Sequence, residues 1–275
     1  MVSKPRPTLA SYTLTLLSEG RTAFLREEAE QALGIGRGAF LDAAEGLQKK
    51  GGLLRPRHGF YVVVPPQFLS WGAPPPPWYI ADLMRREGRP YYVGLLKAAE
   101  LHGASHQAVM EFQVVTDRRI PEIRVGRSLL AFYYRRDMAA VAGGVEERKT
   151  DTGKMKLSSV ELTAFDLLRY PHAAGGLGNV STVFSELGAK IDPEKLAALA
   201  PAFERSVMQR LGHLLGRSGN EDRTMRLYRH LSSGPSIPWV ELNPGISGDP
   251  DALAGKAERD ERWRVIVRQP AEADA

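Results

Sequence analysis

The chain has 275 residues, 43% of them apolar and 25% charged, a balance that excludes collagen-like, coiled-coil and largely disordered classes. It contains no cysteine, which excludes a disulfide framework, a thiolate zinc site and a cysteine nucleophile. Lys and Arg outnumber Asp and Glu by 37 to 32, a net charge of +5 that favours polyanionic partners.

That excess is densest at the front, where residues 1–65 hold nine Lys/Arg against six Asp/Glu. No run approaches the ~20 apolar residues of a membrane span. The most apolar stretch, Phe60–Val64, stops at Pro65-Pro66. Lys4 and Arg6 precede a Thr-rich segment rather than the apolar core of a signal peptide, so the expected location is cytoplasmic and no membrane is expected as a partner.

In chain order, Leu9, Tyr12, Leu16 and Leu17 mark one face of a first helix. Thr22–Leu25 reads as a short strand. Arg26–Leu33 reads as a second helix, with Glu27 and Glu28 at its positive end and Gly34 suited to a left-handed stop. Ile35 is placed to plug the space between two helices. A third helix is predicted from Arg37 to about Lys50, with Phe40, Ala43, Ala44 and Leu47 as one buried stripe. Arg37, Leu41, Asp42, Glu45 and Gln48 fall on the opposite face. Leu53-Leu54-Arg55, a turn at Pro56–Gly59, and Phe60–Val64 make a plausible hairpin.

This order is that of a winged helix-turn-helix. Such a fold lays its second paired helix in the major groove and rests its hairpin on the neighbouring backbone. Arg37 and Leu41 are therefore the candidates for base edges, Leu41 being able to meet a thymine methyl. Lys49, Lys50, Arg55, Arg57 and His58 are the candidates for phosphate or groove. Asp42 and Glu45 count against DNA unless they accept from cytosine amino groups. A winged helix that contacts protein is the alternative reading.

Gly72-Ala-Pro-Pro-Pro-Pro77 reads as a stiff spacer, the alternative being a rigid loop packed on one domain. The expected division is a winged helix over 1–71, a linker over 72–77 and a mixed α/β domain over 78–275, an α+β chain overall. In that second part, Trp78–Arg86 and Tyr91–His102 read as helices. Phe112–Val115, Glu122–Val125 and Leu129–Arg135 read as strands, with Gly126-Arg127 as a turn. Ser158-Ser-Val-Glu161 has the capping-box pattern and opens a helix to about Tyr170. Gly178–Leu187, Pro201–Leu215 and Glu221–Leu231 look helical. Ser236–Leu242 reads as a late strand, and Trp263–Val267 as a short strand or docked segment.

Catalytic chemistry finds little support. His102 and His106 have a metal-sharing spacing but no third ligand, so no metal is expected. Gly34-Ile-Gly-Arg-Gly38 lacks dinucleotide-loop spacing, and Gly175-Gly-Leu-Gly178 reads as a helix-to-helix loop. No cofactor and no enzymatic activity are expected. The Arg pairs carry more weight. Arg118, Arg119, Arg124, Arg127, Arg135 and Arg136 follow or flank three strands, and in a meander they gather at one end as a possible second phosphate-binding patch. A solvated face paired with Asp117, Glu122 and Asp137 is the alternative.

Three blocks then point to a family: Arg89-Pro-Tyr-Tyr-Val-Gly-Leu-Leu, Ala98-Ala-Glu-Leu-His-Gly-Ala-Ser-His106 and Phe112-Gln-Val-Val-Thr116. With the helix Ser159–Tyr170, its Pro-His-Ala-Ala-Gly-Gly-Leu sequel and the front-end Glu27-Glu-Ala29, Ala32-Leu-Gly34 and Lys50-Gly51, the chain resembles the AbiEi family of antitoxins over about residues 8–245.

The resemblance implies a type IV toxin–antitoxin role. The N-terminal winged helix would bind inverted repeats in double-stranded DNA of its own promoter and repress it. The functional partner would be an AbiEii-type nucleotidyltransferase toxin, and the C-terminal domain would be needed for antitoxicity. One departure is Gly36, where the family often has Ser, so a side-chain cap and a possible phosphate contact are missing. A solitary regulator whose C-terminal domain binds a ligand or protein is the runner-up, and a nuclease is disfavoured by the missing carboxylate cluster.

Overall fold

A computed structural model describes residues 7–104, 109–243 and 257–268. It is an α+β chain that divides into two compact units. The first comprises Met1–Tyr92, Met110–Arg136 and Glu147–Lys156, and the second Val93–Val109, Asp137–Glu146 and Leu157–Ala275.

The first unit opens with α1 (Leu9–Ser18), β1 (Ala23–Leu25), α2 (Arg26–Leu33), α3 (Arg37–Lys49), β2 (Leu53–Arg57) and β3 (Phe60–Val63). Thr8 caps α1, accepting from Ser11 N, while Ser11 Oγ accepts in return from Thr8 N. Gly34 ends α2 at φ 63°, where a Cβ would be strained, and thereby sets the turn into α3. The strands pair antiparallel in the order β1-β3-β2. Phe24 stacks on Tyr61 and Phe40 meets Tyr61 edge-on, with Leu9, Leu16, Leu33, Ala44 and Leu53 around them. Ile35 packs half-buried against the same core, as its position predicts.

Two local expectations are corrected. Ala43 is exposed, because the small core covers only the strip of α3 that carries Phe40 and Ala44. The hairpin turn is shorter than expected. Pro56 and Arg57 belong to β2, which is irregular between Leu54 and Arg57, and the chain reverses at His58-Gly59.

The unit continues through 3-10 turns at Pro66–Phe68 and Pro76–Trp78 into α4 (Ile80–Glu87) and β4 (Tyr91–Val93). The proline segment is packed within this unit. Ala73 and Pro74 are buried, and the Gly126 turn lies so close that a Cβ there would meet Gly72 C at 2.7 Å. Trp78 donates from Nε1 to Asp151 at 2.9 Å, and its carbonyl accepts from Thr22 and Thr152. The compact unit therefore does not end at residues 72–77.

After β4 come α5 (Leu95–Leu101), β5 (Glu111–Thr116), β6 (Ile123–Val125), β7 (Ser128–Tyr134), β8 (Val145–Thr150) and β9 (Gly153–Ser158). Tyr91–Val93, expected to be helical, is strand. The helix begins only after Gly94, with Leu95 at φ 57°. The larger sheet runs β6-β7-β5-β4-β9-β8, with β5 parallel and β6 antiparallel to β7.

The second unit gathers around α6 (Val160–Arg169), buried from Glu161 to Leu168. The residue that caps it is Ser159 rather than Ser158, accepting from Leu162 N at 3.3 Å. Glu161 is buried instead of closing the box. It accepts from Ser159 Oγ at 2.8 Å and from Asp192 N at 2.9 Å. α5 and α7 (Gly176–Leu187), α8 (Pro193–Leu199) and α9 (Arg205–Arg217) pack against α6, and Phe165 stacks on Phe203 at 4.2 Å. α10 (Met225–Ser232) precedes a small sheet of β10 (Val240–Glu241), β11 (Glu258–Asp260) and β12 (Val265–Val267), in the order β10-β12-β11. Trp263, 2% exposed, lies on Gly212 of α9. Gln209 Nε2 donates to Pro238 O and Trp263 O, and His213 pairs with Asp260 at 2.7 Å.

Candidate nucleic-acid interface

α3 presents Arg37, Leu41, Asp42 and Glu45 to solvent because its opposite side carries Phe40 and Ala44. Leu41 is 36% exposed, well beyond what core packing would leave. The N-cap is Gly36 in extended geometry, with no side-chain hydrogen bond to the first amides. Those N–H groups remain available to an anion, favoured further by the positive helix end. Arg37 has no carboxylate partner among the described residues.

The acidic side of this face is partly neutralised. Glu45 pairs with Lys49 at 2.7 Å, one turn along the helix. The ammonium holds the Glu45 carboxyl below its ordinary range, and the carboxylate raises Lys49 in return. Lys50, at the C-cap, is exposed and unpaired among the described residues.

The hairpin divides its predicted residues. Arg55 on β2 is exposed and without an ion-pair partner among the described residues. His58 is exposed at the tip. Arg57 departs from the expectation. Its Nη2 donates to Pro121 O at 3.1 Å, and its Nε lies 3.8 Å from Glu87. Its side chain is thus directed to the rest of the unit instead of outward. Arg86 donates to His58 O, so the hairpin tip is clamped from α4. β2 also lies alongside β6, bringing exposed Arg124 onto the strand neighbouring Arg55. Arg86, Glu87 and Pro121 carry no sequence signal for this role, since all three are far from the hairpin in the chain.

The six arginines do not gather at one end. β7 lies between β5 and β6, and β5 and β7 run parallel with Thr116 opposite Tyr134. Arg118, Arg119 and Arg136 therefore leave the sheet at one end. Arg127 precedes β7 at the other end and Arg124 pairs near it, about 20 Å away along the strand. Arg135 is buried at 3% exposure and belongs to neither group. Arg119 sits over Tyr134 at 5.5 Å and Arg127 over exposed Trp71 at 6.0 Å. The alternative acidic pairing is also not what forms. Asp117 faces Arg89 at 3.7 Å, and Asp137 accepts from Ala140 N.

Metal chemistry gains nothing. His102 donates through Nε2 to Ser158 O at 2.7 Å, and His106 lies outside the described residues. Among the described residues no group of three or more His, Asp or Glu could hold a metal ion. Gly175 precedes α7 at φ 71°, and Asn179 donates to Ala174 O across that turn, as a plain connecting loop requires. No described helix is long and apolar enough to cross a membrane.

Residues 92–217, a little under half of the chain, match the family model described as the AbiEi antitoxin C-terminal domain. The crystal structure of the RV2827C protein from Mycobacterium tuberculosis is similar in fold. It has a TM-score of 0.69 and 18% identity, over 96% of this chain and 93% of that one. A comparison with curated proteins finds no match.

Proposed function

We propose that the chain is an AbiEi-type antitoxin whose residues 9–63 form a winged helix-turn-helix for duplex DNA. It would bind inverted repeats in its own promoter, repress transcription, and antagonise an AbiEii-type nucleotidyltransferase toxin in the cytoplasm. The observation that carries the DNA reading is the pair of arginines, Arg37 and Arg55, on the exposed faces of α3 and β2, both without an ion-pair partner among the described residues. A guanidinium without a carboxylate gives up no ion pair on meeting phosphate or guanine.

In this reading Arg37 and Leu41 meet base edges, and Lys49, Lys50, Arg55 and His58 meet backbone or groove. Arg124, on the strand beside β2, extends the phosphate contacts. Arg57 supports the wing through Pro121 instead of touching DNA. The antitoxic part is the matched domain.

The test is fluorescence anisotropy with the chain's own upstream DNA and a random duplex across a salt series. A specific repressor binds the promoter tightly, the random duplex weakly, and both with a steep salt slope. Equal weak binding to both duplexes would refute the repressor reading. Co-expression with a neighbouring nucleotidyltransferase tests the second half, growth rescue being the expected result.

A further inference from the structure

A cleft of about 500 Å³ lies within the first unit, where the end of α4 faces the β8–β9 hairpin. Its walls carry Arg85, Arg89, Tyr91, Glu147, Lys154 and Lys156, four cations against one carboxylate. Arg85 is held by Asp82 within α4, whereas the other three cations are held loosely. Lys154 pairs with Glu147, but both side chains are more than half exposed, where ion pairs contribute little. Arg89 reaches only Asp117, at 3.7 Å, and Lys156 has no ion pair among the described residues.

Tyr91 supplies the second observation. It is 6% exposed, lines the cleft, and accepts from Lys156 N at 3.3 Å. Its own O–H donates to no described residue. Burial pushes its ionisation up to about 12, so the proton stays on the oxygen at neutral pH. A buried hydroxyl with a spare donor, beneath a guanidinium and two ammonium groups, matches a multiply charged oxyanion. The volume is that of a small-molecule pocket. A phosphate within a duplex, flanked by its sugars, cannot descend to so buried a hydroxyl.

We infer that this cleft binds a small phosphorylated molecule carrying at least two negative charges, with Tyr91 and Arg89 bonding the phosphoryl oxygens and Lys154 and Lys156 balancing the charge. This inference does not rest on the promoter reading. It is tested by calorimetric titration of the full chain with pyrophosphate and with ATP.

Saturable binding is expected, weakened about tenfold by Tyr91→Phe and at least about tenfold by Arg89→Gln with Lys156→Gln. The latter pair is exposed, so it decides the matter if Tyr91→Phe lowers the melting temperature. Absence of saturable binding, or binding untouched by Arg89→Gln/Lys156→Gln, overturns the inference. A random duplex that displaces pyrophosphate and is itself weakened by that double variant also overturns it, making the cleft a backbone contact. Promoter affinity unchanged in the double variant is expected.

Discussion

Gly212 is where one methyl group has the largest foreseeable effect. A Cβ built there lies 2.3 Å from three carbons of the Trp263 indole, roughly 1 Å or more short of the 3.5–4.0 Å at which carbon atoms rest. The ring cannot easily withdraw. Gln209 donates to Trp263 O, Trp263 N donates to Asp260 Oδ1 at 3.0 Å, and Tyr228 meets the ring edge-on at 5.3 Å. Overpacking of this kind costs about 1–3 kcal/mol. The alternative, expulsion of the indole, forfeits about 5 kcal/mol for some 200 Å² of buried apolar surface. Gly212→Ala should therefore destabilise by about 1–3 kcal/mol, with the loss of Trp263 burial as the ceiling.

A double-mutant cycle in urea separates this from backbone effects. With Trp263→Ala already present, the same Gly→Ala change in mid-helix should stabilise by about 0.5–1 kcal/mol, because only helix propensity remains. The effect of one methyl should thus change sign with the partner residue. If Gly212→Ala costs the same in both backgrounds, or nothing in either, Trp263 does not sit on α9 as described.

Arg37→Ala should cost about 1–3 kcal/mol on promoter DNA and little on random duplex if it reads a base, which parallel anisotropy titrations will show. Arg55→Ala should lower the salt slope by about one contact, whereas Arg57→Ala should leave it nearly unchanged, and a reversed order would restore Arg57 to the DNA surface. The Tyr12 hydroxyl donates to Glu28 at 3.1 Å, and burial, followed by the Glu28 carboxylate, pushes its ionisation up to about 12. A folded value above the unfolded one near 10 stabilises fully below about pH 10 and is lost as pH rises towards 12. Stability followed between those values should fall less steeply in Tyr12→Phe, and an identical profile would dismiss Tyr12 as a contributor.

The first six elements were legible because their punctuation is local. Gly34 and Gly51 stop helices, Phe40 and Ala44 mark a buried strip, and Gly59 turns a hairpin. Tyr91–Val93 differs from the helical expectation because three apolar residues run into Leu95–Leu101 with only Gly94 between them, and short apolar runs fit strand or helix equally. β8 has no sequence signal because Val-Glu-Glu-Arg-Lys-Thr offers no apolar alternation, and β9 only a weak one, since its alternation is limited to Met155 and Leu157 between lysines. At the site, the outward face of α3 followed from its inward one. The fate of Arg57 did not, because its partners Glu87 and Pro121 come from distant segments. The scatter of the arginine pairs reflects a parallel β5–β7 pairing that skips β6, a long-range fact without a local signal.

The chain passes back and forth between its two units, changing allegiance after Tyr92, Val109, Arg136, Glu146 and Lys156. Such interleaving bears on inheritance. A recombination event that exchanges everything beyond one breakpoint hands over a complete second unit only if it also carries pieces of the first. Under the proposed DNA-binding function, descendants that trade targets would have to change the exposed face of α3 residue by residue, or replace the segment before residue 64 while keeping the surfaces that hold Arg57 and His58. On that function, target preference would drift on a few side chains while the remaining scaffold is passed on intact.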